Sequence, residues 1–269
     1  MVWILFAYFS DDKYERVFGE FEGIRQKIAS FVMDRINDGY SRVLDLLAGH
    51  GYLSAELAKL CPSCLIYGTG LKNDVDSFNA LKASNQYPPT VWKNIKYTEC
   101  DVTELPFDDD YFDLVANFLG LEDVMMTRGE LGLISSVSEV SRVAKPSGLI
   151  EIAIVEYGDT PEERVAEEVW ANIGLNAVFL AREFYVRAFA KHELKLLDEM
   201  VFKIRKKMTF DQAKDELQFA CEQAPPLFKD YGVTAVSFDE LMNQFGHRIQ
   251  KHGMAYYPNI RVLLFSLQK

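Results

Sequence analysis

Between residues 41 and 157, short apolar runs alternate with segments of helical periodicity, and this alternation narrows the possible folds most. VLDLLAG (43–49) reads as a buried strand entering a turn, and GYLSAELAKL (51–60) as the helix after it. LIYGTGL (65–71), NIKYTECD (94–101), FDLVANFLG (112–120) and LIEIAIVEY (149–157) follow as further strands. A helix over 131–144 and a KPSG turn (145–148) precede the last of them. Strands separated by helices cannot pair as hairpins, so they form a parallel sheet covered on both faces.

Outside this stretch the pattern differs. Residues 11–38 carry Val17, Phe21, Ile24, Ile28, Phe31, Val32 and Ile36 at helical spacing, ended by Asn37-Asp38-Gly39. From Thr160 to about Ala224 the signal is almost wholly helical, opening on Thr160-Pro161-Glu162-Glu163, with proline and acids where a helix start favours them. A helix from Ser237 to about Gln250 and strands near 252–257 and 261–267 complete the reading. The expected division is a helical cover (1–40), a core (41–157), a helical insertion acting as lid or substrate subdomain (158–230), and a return of the core (231–269).

Charge and cysteines exclude some functions. A formal net charge of −11 argues against broad nucleic-acid binding, which favours basic faces. The one dense basic run, Lys203, Arg205, Lys206 and Lys207, reads as a solvated helix face. The apolar stretch Val2–Phe9 lacks a basic flank and is too short to span a bilayer, so a cytoplasmic protein is expected. Cys61 and Cys64 have zinc spacing, but no second pair follows. They are read as buried or loop thiols, and no metal is expected.

The turn after the first strand carries the most chemistry. Asp45 lies near the strand's end, and Gly49 and Gly51 open the next helix. Small residues here let backbone approach a ligand in the crevice outside the strand ends. A dinucleotide site would carry a third glycine where Ser54 stands, and an acid closing the second strand, where Gly70 stands. Asp45 can instead meet the ammonium of an amino-acid moiety, or simply bond nearby backbone N–H groups in a turn.

Two further segments join this one in order: Asp101 in ECDVTELPFDDDYFDLV (99–115), and EVSRVAKPSGL (139–149). Together they resemble the class I S-adenosylmethionine (SAM)-dependent methyltransferase family, over roughly 41–157 plus 237–267. The resemblance implies a doubly wound, mostly parallel seven-stranded sheet whose last strand is antiparallel, with the helical insertion after the fifth strand. It implies SAM as cofactor. Asp45, Gly49 and Gly51 would contact its methionine part, Gly70 and Leu71 its ribose, and Asp101 and Val102 its adenine. Asn117 and Phe118 would line the transfer region, or Val102 and Phe118 serve as core. Two positions depart from the pattern: Leu47 replaces a glycine, and Gly70 replaces the acid that pairs with the ribose hydroxyls. Asn73 or Asp74 can reach back to substitute.

The acceptor is expected to be a small or medium-sized, partly apolar molecule. Trp170, Phe179, Phe184, Tyr185, Phe189 and Phe202 of the insertion would line its pocket or form a small core of their own. Asp123, Glu156, Tyr157 and His192 are the candidate bases. The alternatives are a non-catalytic subunit supporting a protein partner, or methylation of a protein or RNA.

Overall fold

The structure is a computed structural model that describes residues 23–36, 41–175, 178–203, 207–227, 229, 232–255 and 259–267. The apolar stretch Val2–Phe9 and the first part of the expected cover lie outside the described residues.

The first described helix, α1, spans 23–33. Then follow β1 (Arg42–Asp45), α2 (Tyr52–Leu60), β2 (Leu65–Gly70), α3 (Lys72–Ala83), β3 (Ile95–Glu99), β4 (Phe112–Phe118), α4 (Gly120–Val143) and β5 (Ala144–Glu156). The second half comprises α5 (Pro161–Asn172), α6 (Arg182–Ala190), β6 (Leu194–Phe202), β7 (Lys207–Met208), α7 (Phe210–Glu222), α8 (Ala224–Leu227), α9 (Phe238–His252), β8 (Met254–Ala255) and β9 (Asn259–Leu267).

Seven strands form one sheet in the order β3-β2-β1-β4-β5-β9-β6. The first five are mutually parallel, and β9 runs antiparallel to both β5 and β6. Chain direction across the sheet reverses between β1 and β4, which opens a crevice outside their carboxyl ends.

Alternate residues of the strands build two cores. Val43, Leu114, Val155 and Leu264 face α1, α2, α5 and α9, whereas Leu44, Val115, Ile152 and Phe265 face α4 and α6. Period-2 side-chain alternation makes such a sheet apolar on both faces.

Several expectations need correction. The segment 158–230 is not helical throughout, because it contains β6. The register Leu194↔Leu267 and Leu149↔Ser266 starts β6 at the amino edge, and Phe202↔Ile260 ends it at the carboxyl edge. Its mixed sequence LKLLDEMVF pairs on one side only, so neither face shows the apolar run of a central strand. The strand expected near 252–257 is the two-residue β8, which pairs with β7 outside the main sheet. Lys203 and Lys207 lie after β6 and in β7, not on a helix.

The insertion aromatics mostly serve the two cores: Trp170 of α5 is buried in the first, and Tyr185 and Phe189 of α6 in the second. Cys61 and Cys64 form a disulfide, not two thiols. The tight turn from α2 to β2 sets their Cα atoms 5.3 Å apart, within bonding range. No helix among the described residues is long and apolar enough to cross a membrane.

Candidate functional site

After Asp45 the backbone folds back on the sheet. Leu46 N–H donates to the Ala116 carbonyl (2.8 Å), Ala48 N–H to that of Thr69 (2.7 Å), and Gly51 N–H to that of Ala48 (2.8 Å). Three residues take positive φ: Leu47 (56°), Gly49 (53°) and Gly51 (85°). At Gly51 a β-carbon would stand 2.6 Å from the Phe78 ring, so a side chain is excluded by contact as well as by φ. Tyr97 braces the loop, its hydroxyl donating to the Gly49 carbonyl at 2.7 Å. Gly51 at the N-cap has no side chain to cap α2, so the helix's first amides, Tyr52 and Leu53, can meet a ligand.

Buried acids gather around this loop. Asp45 is fully buried. Its Oδ2 accepts from Ser54 Oγ (2.6 Å), while its Oδ1 has no partner among the described residues. Burial pushes its pKa up to about 7, against the Ser54 hydrogen bonds and the Arg25 guanidinium. Glu151 lies in the same cross-strand row, Asp45↔Ala116↔Glu151. Its Oε2 accepts from Asn117 N–H (3.2 Å) and its Oε1 has no partner among the described residues. Burial raises its pKa well above the usual carboxyl range, and the negative charge of Asp45 adds to that.

On α4, Glu122 Oε1 accepts from Val155 N–H (2.8 Å), and burial moves its pKa up to about 7. Asp123 Oδ1 is buried with no hydrogen-bond partner among the described residues, and desolvation raises its pKa strongly. Buried carboxylates without partners are costly. Such an edge suits a cationic ligand.

The neighbouring strand ends hold the other candidates. Gly70 ends β2 and half-exposed Leu71 follows. Asp74 turns back over Gly70, and its Oδ2 accepts from Leu71 N–H at 2.7 Å. Asp101 Oδ1 accepts from Thr103 N–H (2.9 Å) and Thr103 Oγ1 (2.7 Å), and its Oδ2 pairs with Arg128 (2.5 Å). Burial opposes ionisation of Asp101, but these partners together hold its pKa below the usual carboxyl value. Val102 is buried in the α4-side core. Asn117 Nδ2 donates to the Leu46 carbonyl (2.8 Å), and its buried Oδ1 has no partner among the described residues. Phe118 lies 5.8 Å from the guanidinium of buried Arg25, which also sits 4.6 Å above the Tyr52 ring.

The four candidate bases do not converge. Asp123 sits one turn into α4, beside the crevice. Glu156 is bound to Arg261 at 2.7 and 3.1 Å, within a network reaching Glu199 and Arg182. Tyr157 is packed 5.3 Å from Phe179, and burial raises its pKa well above the ordinary phenol value. His192 precedes β6, so register puts it at the amino edge, across the sheet from the loop.

Arg25, Ser54, Tyr97, Glu122 and Glu151 were not singled out from sequence. Glu151 had a signal, as a lone acid in the apolar run LIEIAIV. Arg25 had none, because its place depends on where α1 docks.

The family described as "Methyltransferase domain" matches residues 44–152, the whole span from the glycine loop to β5. Over that span the chain is similar to the class I SAM-dependent methyltransferases. SAM is the cofactor of this family, and the residues fit it: an unpaired buried carboxyl oxygen for the ammonium, and a glycine cradle for close approach.

Among curated relatives, a 2-phytyl-1,4-naphtoquinone methyltransferase of Nostoc punctiforme is 28% identical over 130 residues, covering 48% of this chain and 53% of that one. A ubiquinone/menaquinone biosynthesis C-methyltransferase of Proteus mirabilis is 31% identical over 117 residues, covering 43% and 42%. The chain thus spans about half the length of the curated relatives it matches. In fold, the YcgJ protein of Bacillus subtilis aligns over 93% of this chain and 99% of its own, with TM-score 0.59 and 13% identity. That likeness is one of architecture.

Proposed function

We propose that this methyltransferase domain moves a methyl group from SAM to a small or medium-sized, partly apolar acceptor, a hydroxylated aromatic ring of the quinol kind. The observation that carries the cofactor half is the unpaired, fully buried Asp45 carboxyl oxygen beside a left-handed glycine loop. A sulfonium amino acid supplies the missing cation. When bound, SAM supplies an electrophilic methyl with a neutral leaving group.

The chain's own residues then have three tasks. Asp45, Gly49 and Gly51 hold the methionine part, with Asn117 beside it. Leu71, Asp101 and Val102 border the nucleoside. Phe118, Tyr157 and Phe179 give an apolar wall for the acceptor, and the helices at the carboxyl edge keep water from the reacting atoms. Asp123 is the acid–base candidate, since a carboxyl raised by burial suits abstraction of a phenolic proton.

The acceptor class rests on the names of the two quinone-methylating relatives, on the acidic chain, and on this aromatic wall. The test is incubation with methyl-labelled SAM and a panel of prenylated and unprenylated quinols, beside a cell extract. Label in the quinols supports the reading. Label confined to protein or RNA sinks the acceptor class, and label no higher than a no-enzyme control sinks the activity.

A further inference from the structure

We infer that Asp74, from the first turn of α3, accepts hydrogen bonds from the ribose hydroxyls of the bound cofactor. The inference rests on SAM binding as proposed above. In open α/β sheets that bind nucleosides, an acid at the end of the second strand commonly meets the ribose. Here that strand ends in Gly70.

The structure shows why a side chain is absent there and what fills its place. A β-carbon on Gly70 would lie 2.5 Å from Tyr97 Oη, 2.7 Å from Asp74 Cβ and 2.8 Å from Asp74 Oδ2. Tyr97 cannot give way cheaply, because the same hydroxyl braces the Gly49 carbonyl at 2.7 Å and that of Thr69 at 3.3 Å. An acid at position 70 is therefore excluded by the brace under the glycine loop. The carboxylate of Asp74 occupies that space instead.

Its orientation is set from the backbone. Leu71 N–H donates to Oδ2, which leaves Oδ1 and the second lone pair of Oδ2 for a diol. No described residue bonds Oδ1. An ordinary acid in the first turn of a helix is solvated and stabilised by the helix N-terminus. This one is different: burial pushes its pKa up to about 6, against the hydrogen bond from Leu71. Two donated hydroxyl protons would offset that desolvation. Leu71 beside it keeps 38% of its surface exposed, as expected of an apolar residue that a ligand covers.

Asp74 is either a ligand acceptor or only a cap on α3. Calorimetry separates the two, using S-adenosylhomocysteine and its 2′-deoxy and 3′-deoxy analogues with wild type, Asp74→Asn and Asp74→Ala. A charge-assisted bond to each hydroxyl predicts that wild type binds a deoxy analogue roughly 10- to 100-fold more weakly. Asp74→Ala should bind the parent ligand weaker by a similar factor and lose most of that discrimination. Asp74→Asn retains an acceptor for Leu71 N–H, so its thermal midpoint should not fall below that of wild type. It should still show a reduced deoxy penalty, and it decides the matter if Asp74→Ala fails to fold. A full wild-type penalty in the variants overturns the inference and leaves a helix cap. Wild type that binds no S-adenosylhomocysteine overturns the cofactor reading itself, and this inference with it.

Discussion

Leu47 has a left-handed backbone (φ 56°), and a β-carbon on Gly120 would lie 2.5 Å from its own. The two positions are thus coupled: the loop accepts a side chain because the first residue of α4 has none. Gly120→Ala should destabilise the fold by about 1–3 kcal/mol through overpacking. In a Leu47→Gly background most of that cost should disappear, and a double-mutant cycle of chemical denaturation checks it. Equal costs in both backgrounds would deny the coupling. A second residue-scale expectation concerns Asp123. Asp123→Asn should lower kcat by roughly 10²- to 10⁴-fold if it is the base, with S-adenosylhomocysteine affinity nearly unchanged. A base must be ionised, and burial raises the Asp123 pKa strongly. The wild-type rate should therefore climb with pH through that raised value, and the rise should be missing from the variant. A variant of full activity would leave Asp123 a structural acid.

At the scale of elements, α4 is interrupted. Gly129 (φ 67°, ψ −170°) breaks the helix just after Arg128, which reaches Asp101. Only glycine occupies that region readily, and no atom lies within 4 Å of a β-carbon there. Gly129→Ala should therefore destabilise by about 1–3 kcal/mol from backbone strain alone, seen as a lowered denaturation midpoint without a change in slope. An unaffected midpoint would mean the kink is not fixed. Elements differed in how far the sequence displayed them. The central strands β1, β2, β4 and β5 were legible because burial on both faces writes near-continuous apolar runs, as in LIEIAIV. The helix start at Thr160 was legible because its capping is local, with Thr160 Oγ1 accepting from Glu163 N–H. β6 was not, since an edge strand with Asp198 and Glu199 at its centre carries neither period clearly. In the site, Asp45 and the glycines were readable from spacing. Glu151, Ser54 and Arg25 meet Asp45 only after β5 joins the sheet and α2 and α1 pack on one of its faces. That is tertiary information, which no local pattern holds.

For the whole molecule, the buried acids link stability to pH. The folded pKa values of Asp45 and Glu122 are raised to about 7, and that of Asp74 to about 6. Unfolded carboxyls titrate near ~4. Between those values the folded state binds more protons, so stability is fully present below about pH 4 for these groups and is lost as pH rises through their folded pKa values. Without ligand, the thermal midpoint should fall from about pH 5 to about pH 8, apart from other titrations. Asp45→Asn should shallow this fall, and a slope unchanged by that variant would remove Asp45 from the account. A cationic ligand at Asp45 offsets the same cost, which ties this acidic molecule to its cofactor. The most direct measurement is calorimetry of S-adenosylhomocysteine with the wild-type chain near neutral pH. Saturable one-to-one binding with Kd well below about 1 mM, weakened in both Asp45→Ala and Asp101→Ala, is the predicted result. No binding by wild type at about 1 mM ligand, or binding that both variants leave untouched, would contradict it.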